Sequence, residues 1–559
     1  MVLAFPPVRW LSCLISSISL LHALPAQTQA SGPEDLLTVA EASDWQRTST
    51  LADVQAFLAG LQALPRADRI AVSSFGRSEE GREMLLVTAA DPMPADDAAL
   101  LASGKLRILV NANIHGGEVE GKEAVQILLR EIAMGEHGEL LRGAVLLFVP
   151  IYNVDGNERI DAGNRRSQNG PDGGVGQRPN AHGLDLNRDF VKADSAECRA
   201  LLGLFRRFDP QLFLDLHTTN GSHHGYQLTY APSLSTNVDP ALDAFLRQSY
   251  LPEVRRATLE RHGVRVFDYG NFSRGEPRRW VSYDHRPRFG TNYYGLRNRL
   301  SVLSEAYSCL DFGGRVRATR AFVLECLTAA VQRADAIRAL CADADARLVA
   351  GAEDATFGFD TGYAEAVERE VLVGEVERQE LPGGGSRMIA LPGFEAERMP
   401  VQDAFHSAER IPLPTAWAIL DPSDALRERL ALHGIEGYRL TAAQLSSVAV
   451  FEPTELDRAG RAFQQHHEVR LRGAWREEER ELPAGALIVP ARQPLARLAA
   501  QLLEPRSEDS LSTWNFFEQA TRVAVEGVPG AYPVLRIGGG PPAASEQAGL
   551  PHRGEDAPE

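Results

Sequence analysis

Apolar residues in the first part of this 559-residue chain gather into short strand-like runs at 84–89, 106–114, 145–152, 212–216 and 300–303. Several of them lack polar alternation, as expected of central strands covered by helices on both faces. Between and after them, apolar positions recur every three or four residues over 122–134, 195–208 and 320–340, which predicts helices. Thr50 and Asp53 open another, carried by Leu51, Val54, Phe57, Leu58 and Leu61. Strands and helices alternating in this way predict an α/β domain over residues 31–345. Two Gly-, Asn- and Arg-rich stretches, 153–187 and 268–292, are too long for idle connectors and read as site-building loops.

The pattern changes after residue 346. Alternation at 370–377 followed by Leu381-Pro382-Gly383-Gly384-Gly385 predicts a hairpin, and 417–420 reads as a strand. Asp421-Pro422 then predicts a helix start and Gly434 its end, and 487–490 with 494–503 repeats the strand-then-helix order. Residues 346–537 are therefore expected to form a smaller mixed α/β or β-rich accessory region without a chemical motif. The Gly-, Pro- and Glu-rich tail 538–559 is expected to be disordered.

Composition narrows the function. A net charge of -17 argues against nucleic acid as a partner, because phosphate binding needs a basic surface. Arg9, an apolar stretch from Trp10 to Leu24 and small residues at Ala26 and Ala30 form a secretory signal pattern over residues 1–30, too short and serine-rich for a stable membrane span. The mature chain is thus expected in a periplasm or outside the cell. Of the remaining cysteines, Cys198, Cys309, Cys326 and Cys341, none has metal-binding spacing, and free buried thiols are preferred over disulfides.

The candidate chemistry starts from His-x-x-Glu, which occurs at His115/Glu118, His406/Glu409, His433/Glu436 and His552/Glu555. Context selects the first. His115 follows a buried strand, passes through Gly116-Gly117 and enters an amphipathic helix, so Glu118 can face the same point in space. His433 instead reads as a basic residue near a helix C-terminus. His217 ends a second strand, and with His115 and Glu118 it gives three ligands for one Zn²⁺, leaving a fourth position for water. Glu305, after the run at 300–303, is positioned as a general base; Asn187-Arg188 suits capture of a carboxylate, and Arg165-Arg166 offers a cation for an oxyanion.

The order His115-Gly-Gly-Glu118, Asn153-Val-Asp-Gly156, Asp185-Leu-Asn187-Arg188, Asp215-Leu-His217 and Ser304-Glu305 resembles the zinc carboxypeptidase family typified by carboxypeptidase A. Phe75-Gly76-Arg77-Ser78-Glu79-Glu80-Gly81-Arg82 adds to the likeness, which spans roughly residues 45 to 340. The resemblance implies a mixed central sheet flanked by helices and zinc on His115, Glu118 and His217. It implies Glu305 as base and proton donor, Arg166 polarising the scissile carbonyl, and Asn187 with Arg188 holding the terminal carboxylate of a peptide or cell-wall peptide. Tyr283 matches the family's mobile tyrosine, with Tyr293 and Tyr294 as rivals. A zinc amidohydrolase of the aspartoacylase type is the alternative, since Asp215-Leu-His217-Thr-Thr resembles that group too. A non-catalytic binding module keeping the fold would have lost a ligand, Arg188 or Glu305, and all are present.

Overall fold

The computed structural model describes residues 36–538 apart from 220, 382–383 and 526–531. The expected signal segment and most of the expected disordered tail therefore lie outside the described residues, as does part of the 381–385 turn.

Eight strands form the central sheet: β1 (Ile70–Arg77), β2 (Glu83–Ala89), β3 (Leu106–Ala112), β4 (Ala144–Val149), β5 (Leu212–Thr218), β6 (Leu228–Pro232), β7 (Val266–Asp268) and, after the short β8 (Asn271–Phe272) and β9 (Trp280–Val281), β10 (Leu300–Ala306). Their order is β1-β2-β4-β3-β5-β10-β6-β7. The inner strands β4, β3, β5 and β10 run parallel, whereas β2 and β6 flank them antiparallel. The sheet is mixed, as expected. Strands β4 and β5 are buried at every position, which is why their sequences lack alternation.

Helices Leu51–Gly60, Glu120–Met134, Ala196–Phe208 and Phe312–Gln332 flank the sheet. The first is closed by the expected box, with Thr50 and Asp53 capping each other. Several boundaries differ from the sequence reading. The helix expected at 320–340 is two, Phe312–Gln332 and Ala334–Ala350, broken where Arg333 leaves helical geometry. Strand β3 stops at Ala112 because Asn113 turns left-handed, φ +62°. Strand β10 continues to Ala306 and so contains Glu305 rather than preceding it.

The division expected at residue 345 falls inside helix Ala334–Ala350, and the next strand, β11 (Thr356–Tyr363), pairs with β14 (Phe405–Pro412). Between them a long hairpin of β12 (Val367–Glu380) and β13 (Ser386–Gln402) joins β9 and β8 in one sheet. A six-stranded antiparallel sheet completes this β-rich region. The helix expected from Asp421 is capped instead by Ser423 and spans Asp424–His433, because the Ser423 hydroxyl is what accepts the Leu426 N–H; Gly434 ends it left-handed, φ +80°. All four described cysteines are free and buried.

Candidate active site

Three loops meet where β3 ends. A Cβ on Gly116 would lie 2.3 Å from the Gly156 carbonyl carbon, and one on Gly176 would lie 2.4 Å from Gly156 O and 2.5 Å from Gly116 O. Only glycine lets these backbones touch. Asn113 fixes the turn by donating to the carbonyls of His115, Gly116 and Glu118. Asn153 caps the segment Val154–Glu158 through Gly156 N–H (2.9 Å) and donates to Arg178 O (3.1 Å). Asp155 accepts from Ser78 Oγ (2.8 Å), Glu80 N–H (3.0 Å) and Arg82 (2.6 Å), anchoring the upstream Gly76-to-Arg82 segment to the same junction.

The sheet register delivers the second half. His217 on β5 pairs with Glu305 on β10, and Asp215 pairs with Asn111 on β3, so all these residues sit at the carboxyl edge of parallel strands. His115, Glu118 and His217 are buried, and one donor atom from each lies within 4.8 Å of the others. Glu118 Oε1 is 2.9 Å from His115 Nδ1, and Glu118 Oε2 is 3.1 Å from His217 Nδ1. Three protein donors of these types, gathered this closely, are the ligand set a catalytic zinc takes, with a fourth position left for water.

The far side of each ring supports the same reading. His115 Nε2 meets Asp185 Oδ1 at 3.1 Å, and His217 Nε2 meets Asp215 Oδ2 at 2.8 Å. With the proton on Nε2, each ring donates to its carboxylate and turns the Nδ1 lone pair inward. Burial works to raise the Glu118 carboxyl, but His115, Arg165 and His217 outweigh it and hold it well below the carboxylate range. His115, Glu118 and His217 thus form a group of two imidazoles and one carboxylate that could hold a zinc ion.

Glu305 is half-buried beside this group. Burial pushes its carboxyl up, His217 opposes, and the Glu118 charge adds to the rise. Asn187 Oδ1 accepts from Gly290 N–H at 2.8 Å, which ties the Asp185–Arg188 turn to the loop after Tyr283. Arg188 lies over the Phe289 ring at 4.0 Å, and its nearest carboxylate among the described residues is Asp185 at 4.0 Å. One guanidinium nitrogen donates to Asn187 O at 2.7 Å, and the remaining N–H groups can meet an incoming anion. Tyr283 packs edge-on against Phe289 and Tyr269, and burial followed by the Glu305 charge pushes its phenol upward. Tyr293 and Tyr294 are fully buried instead, bonded to His433 Nδ1 (2.8 Å) and Pro210 O (2.5 Å).

The two adjacent arginines lie in different surroundings. Arg166 is exposed on the loop surface, while Arg165 turns inward with left-handed backbone, φ +49°. Arg165 is fully engaged with Gln168 (3.0 Å), Glu118 (2.9 Å) and Thr218 O (3.2 Å). The residue sequence reasoning missed is Arg178. It is bound on one side by Asp185 at 2.9 Å and stands 3.4 Å from His115 Nδ1 and 3.7 Å from Glu118, with 39% of its side chain exposed. Its place nine residues before Asn187, in a loop without periodicity, gave no local signal. Tyr269 was missed as well; burial and Glu305 raise its phenol too. His433, read as a helix-end cation, is buried with its two nitrogens bonded to Tyr293 Oη and Val191 O, and burial pushes its ring down to about 3 although the Val191 carbonyl opposes the fall.

Residues 55–265 match the zinc carboxypeptidase family. The match includes His115, Glu118, Arg178, Asn187, Arg188 and His217 and stops before Tyr283 and Glu305. Probable carboxypeptidase 2 of Arthroderma benhamiae is 29% identical over 144 residues, 25% of this chain and 24% of its own. Carboxypeptidase D of Rattus norvegicus is 34% identical over 170 residues, 26% of this chain and 12% of its own. The chain thus spans at most about a quarter of the length of these curated relatives. A metallo-carboxypeptidase structure from Burkholderia cenocepacia aligns over 52% of this chain and 70% of its own at 19% identity, with a TM-score of 0.38.

Proposed function

On the premise that this chain carries a domain of the zinc carboxypeptidase family, we propose that it is an exported enzyme that hydrolyses the C-terminal peptide bond of peptides, cell-wall peptides included. The observation that carries the reading is the convergence of His115, Glu118 and His217 at one point beside Glu305.

His115, Glu118 and His217 would hold a zinc ion, which would supply a polarising charge and acidify a bound water. Glu305, raised by burial, takes the proton of the attacking water and returns it to the leaving nitrogen. Arg178, tethered by Asp185 yet partly exposed, meets the negative charge growing on the carbonyl oxygen. Arg178 takes the place expected of Arg166, whose side chain is exposed on the loop. Asn187 and Arg188 hold the substrate's terminal carboxylate, and Tyr283 with Phe289 walls that end of the cleft.

Export is part of the proposal. Among the described residues no helix is long and apolar enough to cross a membrane. Residues 31 to about 350 would then be the catalytic domain and the β-rich remainder its accessory region.

Offering the zinc-loaded protein matched peptides with free and amidated C-termini tests the activity. Release of the last residue from the free peptide alone is expected. Equal cleavage of both, cleavage of neither, or activity confined to N-acyl amino acids overturns the reading.

A further inference from the structure

The C-terminal region reaches into the catalytic domain where the loops carry chemistry. His466 bonds Asp194 at 2.8 Å, and buried Arg288, next to Phe289, is held by Asp509 and Glu468. The innermost contact is a turn. Phe463 and His466 exchange both backbone hydrogen bonds, at 2.8 and 3.0 Å, so Gln464 and Gln465 are the two central residues of a tight hairpin. Both are left-handed, with φ of +50° and +68°. Such turns favour Asn and Gly at these positions, and two glutamines there store backbone strain.

The strained turn has a target. Gln464 Oε1 accepts the backbone N–H of Asp185 at 2.8 Å, and Gln465 Nε2 donates to His182 O at 3.3 Å. Asp185 is the carboxylate that joins His115 to Arg178, and it opens the turn carrying Asn187 and Arg188. Its side-chain oxygens are already used by His115, Arg178 and Asn187 N–H, so its own N–H is the remaining handle on its position.

We propose that Gln464, on the Phe463–His466 turn of the C-terminal region, is a positioning residue of the catalytic site that acts through Asp185. The accessory region thereby completes the site rather than hanging beside it. This deepens the carboxypeptidase reading and rests on it for its kinetic arm alone.

Gln464→Gly separates positioning from mere support. Glycine suits the left-handed backbone, so the Tm of the full chain should stay level or rise. The lost acceptor should loosen Asp185 and weaken zinc binding at least threefold in a chelator competition, since carboxylates behind metal-binding histidines change affinity by about 10–100-fold. The kcat should fall about tenfold or more with KM nearly unchanged, because His115 and Arg178 act on the transition state. Gln464→Glu keeps an acceptor and should recover both. Wild-type zinc affinity or kcat in Gln464→Gly, a loss that Gln464→Glu fails to recover, or a Tm falling in step with activity would each overturn the proposal. If the wild-type chain cleaves no peptide, the carboxypeptidase reading fails, and the zinc competition alone decides this one.

Discussion

Glu305 pairs in register with His217 across two parallel strands and stands outside the group His115, Glu118 and His217, and the proposed function makes it a base rather than a ligand. Glu305→Gln should therefore keep its zinc while turnover drops by about 10²–10⁴-fold, measured as kcat alongside metal content. Loss of the metal in that variant would make Glu305 a ligand instead. The arginines divide in the same way. Arg178→Ala should lower kcat/KM by about 10²–10³-fold through loss of the oxyanion contact, whereas Arg166→Ala should leave it nearly unchanged. The reverse order would restore Arg166 as the polarising group. His217 and Glu305 stood out because each lies in an apolar strand, and His115 and Glu118 because they follow one through a glycine turn. The arginines did not, because adjacent loop residues such as Arg165 and Arg166 point oppositely only once the left-handed Arg165 backbone is known. His433 misled for a related reason: helix-end chemistry says nothing of a tyrosine arriving from residue 293.

Elements inherit this contrast. Strands β3, β4 and β5 were legible from uninterrupted burial, and the Thr50 box from its own spacing. The break at Arg333 was not, since apolar spacing continues through it. The junction of Gly116, Gly156 and Gly176 belongs to this scale too, because three loops far apart in sequence share one contact. Gly176→Ala should force two backbones apart and destabilise the fold by about 1–3 kcal/mol, read from the urea midpoint. A wild-type midpoint would mean that the loops have room the contact distances deny.

At the scale of the whole molecule, buried His433 stitches the C-terminal region to the earlier part of the chain through Tyr293 and Val191 O. Burial pushes the His433 ring down to about 3, and the same cause brings His224, packed on Tyr307 and Trp280, down to about 3. Unfolding returns each to about 6.5, so the unfolded chain binds more protons between these values. Stability should therefore be full above about pH 6.5 and lost progressively as pH falls toward 3. His433→Gln should flatten that decline in urea midpoints measured at pH 7, 5 and 4; an identical slope in both proteins would show the ring already protonated when folded. None of this stitching was legible in the sequence, where residues 346–537 offered elements without chemistry. The most direct test of the central claim is elemental analysis of the purified chain beside His217→Ala. One zinc per wild-type chain and none in the variant is expected. Zinc retained by the variant, or absent from the wild type, would contradict it.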